Sequence, residues 1–282
     1  MIYFGVMAVL LILLAFGNSA YGETRLDLDI PEKENPKRLN ELFNITEEVD
    51  YDKEREGTRK IRLSTLKNAA FSWGVQEGLF WRHNIIMKFL DEQSLNLHTV
   101  FDFNKFIVDG KMLMPSVVES ERIFDQTSRT SARTVNVSFT LDKSAKIVPK
   151  PPTWRDYLLR TIDKPERPHA VIFPRTSDET DAWIELLEKG WKSGIKQAND
   201  IFEIDLRNLQ KNFEGRYRFR KLLAMGYVTM PQVKSSKYSV LKLEDGRTIN
   251  INDVLYSITS ISEFTDSDKW VPYFREGAIN RE

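Results

Sequence analysis

The chain has 282 residues, no cysteine and a formal net charge of zero, with 41 basic and 41 acidic side chains. Without cysteine there can be no disulfide, thiolate metal site, cysteine nucleophile or lipid attachment through an N-terminal cysteine. The balanced charge gives no support to nucleic-acid binding, which usually requires a strongly basic face.

The chain opens with an apolar run over residues 2–16, followed by Ala20-Tyr21-Gly22. The run is shorter than the roughly 20 residues that span a bilayer. The small-x-small triplet is what signal peptidase recognises. We therefore predict a signal peptide over residues 1–22, cleaved near Gly22, and a mature protein in the periplasm. No Lys or Arg precedes the apolar run, so either the free amino terminus is the only positive charge there or the true start lies upstream. From the length of the run, an uncleaved inner-membrane anchor is the alternative.

An acidic leader follows the predicted signal peptide. Residues 23–56 hold twelve acidic and six basic side chains, so residues 57–282 carry a net charge of +6. Dense charge, few aromatics and two prolines predict that residues 23–57 are poorly ordered, with a short helix near residues 39–43. The leader is either a partner-binding arm or a solvated linker. Residues 58–282 then form the folded domain.

Two long helices are predicted, over residues 58–93 and from a capping box at Thr176 to residue 213. Each carries small residues four apart on one ridge: Ala70, Gly74 and Gly78 on the first, and Gly190, Gly194 and Ala198 on the second. A glycine inside a helix costs about 1 kcal/mol relative to alanine. We therefore expect the two ridges to pack against each other at short interaxial distance. The alternative is that each ridge faces a strand or a loop.

Shorter elements fill the rest of the chain. A strand over residues 135–139 has residues 146–148 as its predicted hairpin partner. Thr153 is predicted to cap a short helix over residues 154–161, and another short helix covers residues 217–225. A hairpin joins residues 239–243 to 248–251 through a turn at 244–247, and residues 256–261 are a possible third strand. The fold class is α+β: two long packed helices with short antiparallel β-hairpins and additional short helices.

The sequence carries no motif of catalysis. The three histidines, His83, His98 and His169, lack metal-ligand spacing, and no phosphate loop or nucleophile elbow is present. Asp102, between two aromatic residues, is expected to cap a turn or helix. We predict no catalytic, cofactor or metal site. A glycosidase-like carboxylate pair stays open, because separation in space cannot be read from sequence.

Tryptophan and arginine occur in dense short blocks, and these residue types are enriched where binding energy concentrates in interfaces. We predict interface roles for Trp154, Arg155 and Trp191, which lie near proline or helix junctions where side chains can project outward. Trp73 and Trp81, eight apart on one helix, are expected in the core. The alternative for all of these residues is packing, since tryptophan is highly buried on average.

The same blocks resemble the signature of the DotC family, which includes the TraI proteins of IncI-type conjugation systems. The matching blocks, in chain order, are Trp73-Gly74-x-Gln76-x-Gly78-Leu79-x-Trp81-Arg82, Phe101-Asp102-Phe103-Asn104, Pro151-Pro152-Thr153-Trp154-Arg155-x-Tyr157-Leu158, Gly190-Trp191-Lys192-x-Gly194-Ile195-x-Gln197-Ala198-Asn199 and Arg220-Lys221-Leu222-Leu223-Ala224-Met225. Five blocks in this order are far more specific than any one of them.

The resemblance implies a structural part of a type IVB secretion or conjugation machine, located in the periplasm at the outer membrane. Its implied partners are DotD-like and DotH-like envelope proteins in a multi-copy ring, the core complex, with no direct contact to nucleic acid. It implies that the chain helps place the DotH-like protein in the outer membrane. Known members are lipoproteins anchored through a cysteine, whereas this chain has none. Attachment to the outer membrane would then come from partners.

Two other functions stay open at this point. One is a periplasmic hydrolase that opens the cell wall for the machine, and the other is a passive peptidoglycan-binding module. A paired-carboxylate cleft would favour the first, and binding to isolated peptidoglycan would favour the second.

Overall fold

The computed structural model describes residues 37–44, 56–128, 131–242, 249–266 and 268. The predicted signal peptide, most of the predicted leader and the turn at residues 244–247 lie outside the described residues. The described chain forms two compact units. The helix-pair unit comprises residues 37–44, 56–97 and 158–206, and the hairpin unit comprises residues 98–157 and 207–268 as far as they are described. Among the described helices, none has the length and apolar character needed to cross a membrane.

The described part of the chain has five α-helices: α1 (Lys37–Phe43), α2 (Glu56–Glu92), α3 (Ser94–Val100), α4 (Arg155–Leu158) and α5 (Ser177–Ala224). Short 3-10 helices lie at Phe103–Phe106 and Ala170–Ile172. The predicted first long helix and the short helix in the leader are confirmed as α2 and α1. The helix predicted over residues 154–161 is only the single turn α4. There the backbone N–H and the hydroxyl of Thr153 both donate to the Asp156 carboxylate, at 2.6 and 3.0 Å.

Helix α5 begins where the capping box predicts and ends later than predicted. The Thr176 hydroxyl accepts from the backbone N–H of Glu179 at 3.3 Å, and the Glu179 carboxylate accepts from the N–H of Arg175 at 2.9 Å. The predicted end at residue 213 and the separate helix over residues 217–225 are wrong, because one helix continues to Ala224. Gly215 does not end the helix: a Cβ there would lie 3.1 Å from the Val117 carbonyl oxygen, so the glycine serves packing.

Within the described residues, seven strands form three small antiparallel sheets. They are β1 (Ile107–Val108), β2 (Met112–Leu113), β3 (Ser116–Ser128), β4 (Ser131–Lys143), β5 (Lys146–Ile147), β6 (Gln232–Lys242) and β7 (Ile249–Ser260). Strands β1, β2 and β5 form one sheet in that order, β3 pairs with β4, and β6 pairs with β7.

One predicted strand pairing is wrong and one hairpin is confirmed. Residues 135–139 lie in β4, whose partner is β3, whereas β5 pairs with β2. The predicted third strand continues β7, with Tyr256 opposite Ser235 in β6. The hairpin of residues 239–243 and 248–251 is confirmed, with Leu241 opposite Asn250. Strand β3 was not predicted because charged residues interrupt its apolar pattern. One of them, Glu119, is buried against Arg218, whose Nε donates to it at 3.0 Å.

Each unit has its own core. In the helix-pair unit, α1, α2, the segment before α5 and α5 itself contribute Leu39, Leu42, Leu66, Ala70, Trp73, Phe173, Trp183, Leu187 and Trp191. In the hairpin unit, β3, the end of α5 and the residues just after it pack through Val117, Phe219, Leu222, Tyr227 and Val228. The Phe213 ring also lies 5.2–5.4 Å from the rings of Phe101, Phe103 and Phe106. The α+β fold class is confirmed.

Candidate functional site

The glycine rows of α2 and α5 meet in the helix-pair unit, and we call this contact the helix crossing. A Cβ at Gly74 would lie 3.1 Å from the backbone nitrogen of Trp191, and one at Gly78 would lie 2.9 Å from the Trp191 Cα. From the other side, a Cβ at Gly190 would lie 3.0 Å from the Val75 nitrogen, and one at Gly194 would lie 2.7 Å from the Leu79 nitrogen. The two backbones are therefore in direct contact, and no side chain fits between them.

The two alanines of the predicted ridges extend this contact at its ends. Ala70 is fully buried and belongs to the same core as Leu187 and Trp191. Ala198 is buried one turn beyond Gly194. All six small residues of the two ridges are thus buried within one unit.

Aromatic rings flank the helix crossing. The Trp73 ring lies 6.0 Å from that of Trp183 and 6.1 Å from that of Phe173, while Trp81 and Trp191 are 5.4 Å apart. Trp73 is in the core as predicted. Trp191 is buried as well, so the expectation that its side chain projects outward is wrong. Its neighbour Gly190 brings α2 too close for the indole to remain in solvent.

The expectation that Trp154 projects outward is also wrong, because the structure buries its side chain completely. The His98 ring meets the Trp154 indole edge-on at 5.8 Å. The Arg155 guanidinium lies 4.4 Å from the centre of the same indole and is hydrogen-bonded to His98. Arg155 is partly exposed, so of the three predicted interface residues it alone presents a side chain to solvent. Its position over the indole is a cation–π contact.

Polar side chains for which no contact was predicted join α2 to α5 and to the segment before it. Arg82 donates from Nε to the Asn199 side-chain oxygen at 2.8 Å. The Nε2 of His83 is 3.0 Å from the Arg160 carbonyl oxygen, and the Arg160 guanidinium pairs with the buried Asp205. Burial lowers the pKa of His83, the Arg160 charge lowers it further, and the hydrogen bond to the carbonyl opposes both. The neutral imidazole is thus the favoured form in the folded protein.

Two arginine–glutamate pairs fix the outer parts of the helix-pair unit. Arg62 donates to the Glu179 carboxylate at 2.9 Å and to the carbonyls of Val171 and Phe173, each at 3.0 Å. Arg38 of α1 pairs with the buried Glu77 of α2 at 2.9 Å. Arginine suits such sites because its planar fork donates to several acceptors at once. The partners are far apart in sequence, so spacing alone could not have revealed either pair.

The remaining predicted polar candidates have structural partners. Asp102 caps a 3-10 helix, its carboxylate accepting from the Asn104 N–H at 3.1 Å, as predicted for a capping residue. His169 caps the other 3-10 helix through Nδ1. The part of the chain that the structure describes contains no group of three or more His, Cys, Asp or Glu residues placed to hold a metal ion.

The tight turn between β1 and β2 was not predicted, although its sequence signals it clearly. Asp109 and Gly110 join β1 to β2 and have φ values of 50° and 69°. An Asp-Gly pair between apolar runs is a strong hairpin signal, because both positions tolerate positive φ. The neighbouring residue Lys111 places its Nζ 3.8 Å from the Tyr256 ring centre, which fixes one face of β7 against the turn.

The most distinctive residues of this sequence thus pack its helices against each other or cap them, as in a structural protein. Residues 60–272 match the sequence model of a family described as "Type IV secretory system, conjugal DNA-protein transfer". That match covers well over half of the chain, and the chain belongs to this family. No curated protein matches the chain. The matched region begins after α1, although Leu39 and Leu42 of α1 lie in the core.

Proposed function

We propose that this chain is a structural, non-catalytic component of the outer-membrane core complex of a type IVB conjugation or secretion system, of the DotC kind. It works in the periplasm and helps a DotD-like protein to place a DotH-like partner in the outer membrane. Membership of the conjugal type IV secretion family over residues 60–272 is the observation that carries this proposal.

The positions of the residues that carry the DotC resemblance support a scaffold role. Gly74, Gly78, Gly190 and Gly194 form the backbone contact between α2 and α5. Trp73 and Trp154 are buried, and Asp102 caps a helix. A sequence signature devoted to packing suits a protein that works by holding a shape, because a stiff body presents partners with a fixed surface at little entropic cost.

Attachment to the outer membrane then depends on partners. The chain has no cysteine, so the lipid anchor that the resemblance would imply cannot be attached. Holding the protein by protein contacts makes its position dependent on assembly of the complex. The protein should therefore leave the outer-membrane fraction when the DotH-like or DotD-like partner is deleted.

The test is an in-frame deletion in the conjugative system, with a tagged DotH-like protein. We expect conjugal transfer to be lost and the DotH-like protein to disappear from the outer-membrane fraction. The wild-type gene and a Ser193→Ala variant, changed at an exposed position of α5, should restore both. A Gly194→Leu variant should restore neither, because leucine cannot fit at the helix crossing.

Normal transfer in the deletion strain would reject the proposal, and so would an unchanged distribution of the DotH-like protein. Turnover of cell-wall fragments by the purified mature protein would overturn the proposal that the protein is non-catalytic. Co-purification of the tagged protein from envelopes, with identification of what accompanies it, tests the partners directly.

A further inference from the structure

Strands β6 and β7 form a two-stranded ribbon with one exposed apolar face. The register places Tyr238 opposite Asp253, Ser236 opposite Leu255 and Val240 opposite Ile251, so alternate residues of both strands share this face. Its apolar side chains are exposed at Tyr238 (42%), Ile249 (60%), Ile251 (73%) and Leu255 (55%). Such a face on a ribbon of two strands, which is marginally stable alone, marks a site of interaction.

The outer edge of β6 is available for a further strand. Within the described residues, β7 is the one strand that pairs with β6. The edge carries exposed lysines, Lys234 and Lys237. Lysines on an edge oppose pairing with a second copy of the same edge by charge repulsion. Lys237, on the face opposite Tyr238, attracts a strand that carries acidic residues on that face, because opposite charges on neighbouring strands stabilise a sheet.

A segment of this chain fits that description. Residues 25–30 read Arg-Leu-Asp-Leu-Asp-Ile and lie outside the described residues. Apolar and acidic residues alternate with the period of a strand, so Leu26, Leu28 and Ile30 would share one face and Asp27 and Asp29 the other. A strand of this pattern beside β6 extends the exposed apolar face of the ribbon. Its two aspartates then lie on the same face as Lys237.

We propose that residues 25–30 of one copy add as a strand to the outer edge of β6 in a second copy. The donor segment is joined to the helix-pair unit of its own chain by a short tether. Helix α1 is held to its own chain by the Arg38–Glu77 pair and by buried Leu39 and Leu42. The six residues before it include Pro31 and Pro36, whose fixed φ favours an extended tether. Such an exchange is head-to-tail, so it builds a ring or a filament.

The absence of cysteine from the chain makes a disulfide test unambiguous. Two differently tagged mature proteins are mixed and mildly oxidised, one with a cysteine in the donor segment and one with a cysteine in β6. The panel pairs Asp27→Cys or Asp29→Cys with Ser235→Cys, Lys237→Cys or Ser239→Cys. We expect a mixed dimer on non-reducing gels for at least one pair. The matched control replaces the β6 variant with Lys189→Cys, an exposed position on α5.

The proposal would be overturned if, for every cysteine pair, the mixed-dimer band is no stronger than the band of the control. A chain carrying both cysteines separates exchange from internal pairing. At high dilution, a cross-linked monomer as the sole product would show that the segment pairs within its own chain, which also overturns exchange between copies.

Charge reversal tests which edge is used. An Asp27→Lys/Asp29→Lys variant should lose self-association in sedimentation velocity, while its thermal melting stays unchanged. Adding Lys237→Glu to that variant should restore the association. If the reversed chain still associates, or if the combined variant fails to recover, the assignment of β6 as the receiving edge is overturned.

Discussion

The glycines of the helix crossing resolve a conflict between two energies at single residues. Alanine is favoured over glycine in a helix by about 1 kcal/mol, so an open position would prefer it. At Gly194 an added Cβ would lie 2.7 Å from the Leu79 nitrogen and closer still to the Val75 carbonyl oxygen. Backbone atoms cannot rotate away as a flexible side chain can. Close approach of the backbones therefore decides the residue type at this position.

Whether Gly194→Ala raises or lowers the free energy of unfolding shows which of these two energies is larger. We expect destabilisation by about 1–3 kcal/mol or more, as for other overpacked sites, and a melting temperature lower by several degrees. The neighbouring exposed change Ser193→Ala should stay within about 0.5 kcal/mol of wild type. Urea denaturation of the mature protein measures both. A gain in stability for Gly194→Ala would mean that the helices do not touch there.

His83 gives a second residue-scale prediction, through pH. Burial and the nearby Arg160 charge lower its pKa below the ordinary value of 6.5. As the pH falls through 6.5, this histidine takes up a proton more readily in the unfolded chain than in the folded protein. The free energy of unfolding therefore falls as the pH drops. A His83→Gln variant, whose amide can still donate to the Arg160 carbonyl, should lose less stability than wild type between about pH 7.5 and pH 5.5.

The comparison requires the urea midpoint of each protein at several pH values. Asn84→Gln, at an exposed position next to His83, serves as the control and should decline as steeply as wild type. Parallel curves for wild type and His83→Gln would remove His83 as the source of the acid sensitivity.

At the scale of elements, α5 shows what decides the length of a helix. Its buried positions continue past residue 213 through Arg216, Phe219 and Leu222. Such a stripe is held by packing rather than by intrinsic propensity. Gly215, which would weaken an isolated helix, lies against Ser116 and Val117 of β3. The continuous helix is therefore a product of tertiary contacts that the sequence pattern does not display.

A Tyr217→Pro substitution distinguishes a continuous α5 from two separate helices. Tyr217 is exposed, so its side chain contributes little and the effect of proline is on the backbone. In the interior of a continuous helix, Tyr217→Pro should cost about 3 kcal/mol or more. In the first turn of a separate helix it would be tolerated. Tyr217→Ala is the control, and similar urea midpoints for the two variants would contradict a continuous α5.

The elements also show where sequence reasoning reached its limit. Long periodic helices and a hairpin closed by a short turn are set by neighbouring residues, and these were predictable. The partner of β4 and the burial of Trp154 depend on contacts with distant segments. The Arg62–Glu179 pair joins residues 117 positions apart, and no local pattern shows it. The glycine ridges were found because the helix period makes four-residue spacing visible.

At the scale of the whole molecule, the folded body is larger than the region that defines the family. The family match begins at residue 60, whereas α1 places Leu39 and Leu42 in the core with Trp73 and Trp183. The Arg38–Glu77 pair adds a contact to α2 at 2.9 Å. Part of the acidic leader is therefore structural.

This boundary predicts how two truncations of the mature chain differ. A chain that starts at residue 45 should have a clearly lower urea midpoint than one that starts at residue 37, because it loses both buried leucines and leaves Glu77 without Arg38. Within the longer chain, Leu42→Ala should cost about 2–5 kcal/mol. The control Leu159→Ala, at an exposed position, should cost much less. Equal midpoints for the two truncations would place α1 outside the cooperative unit.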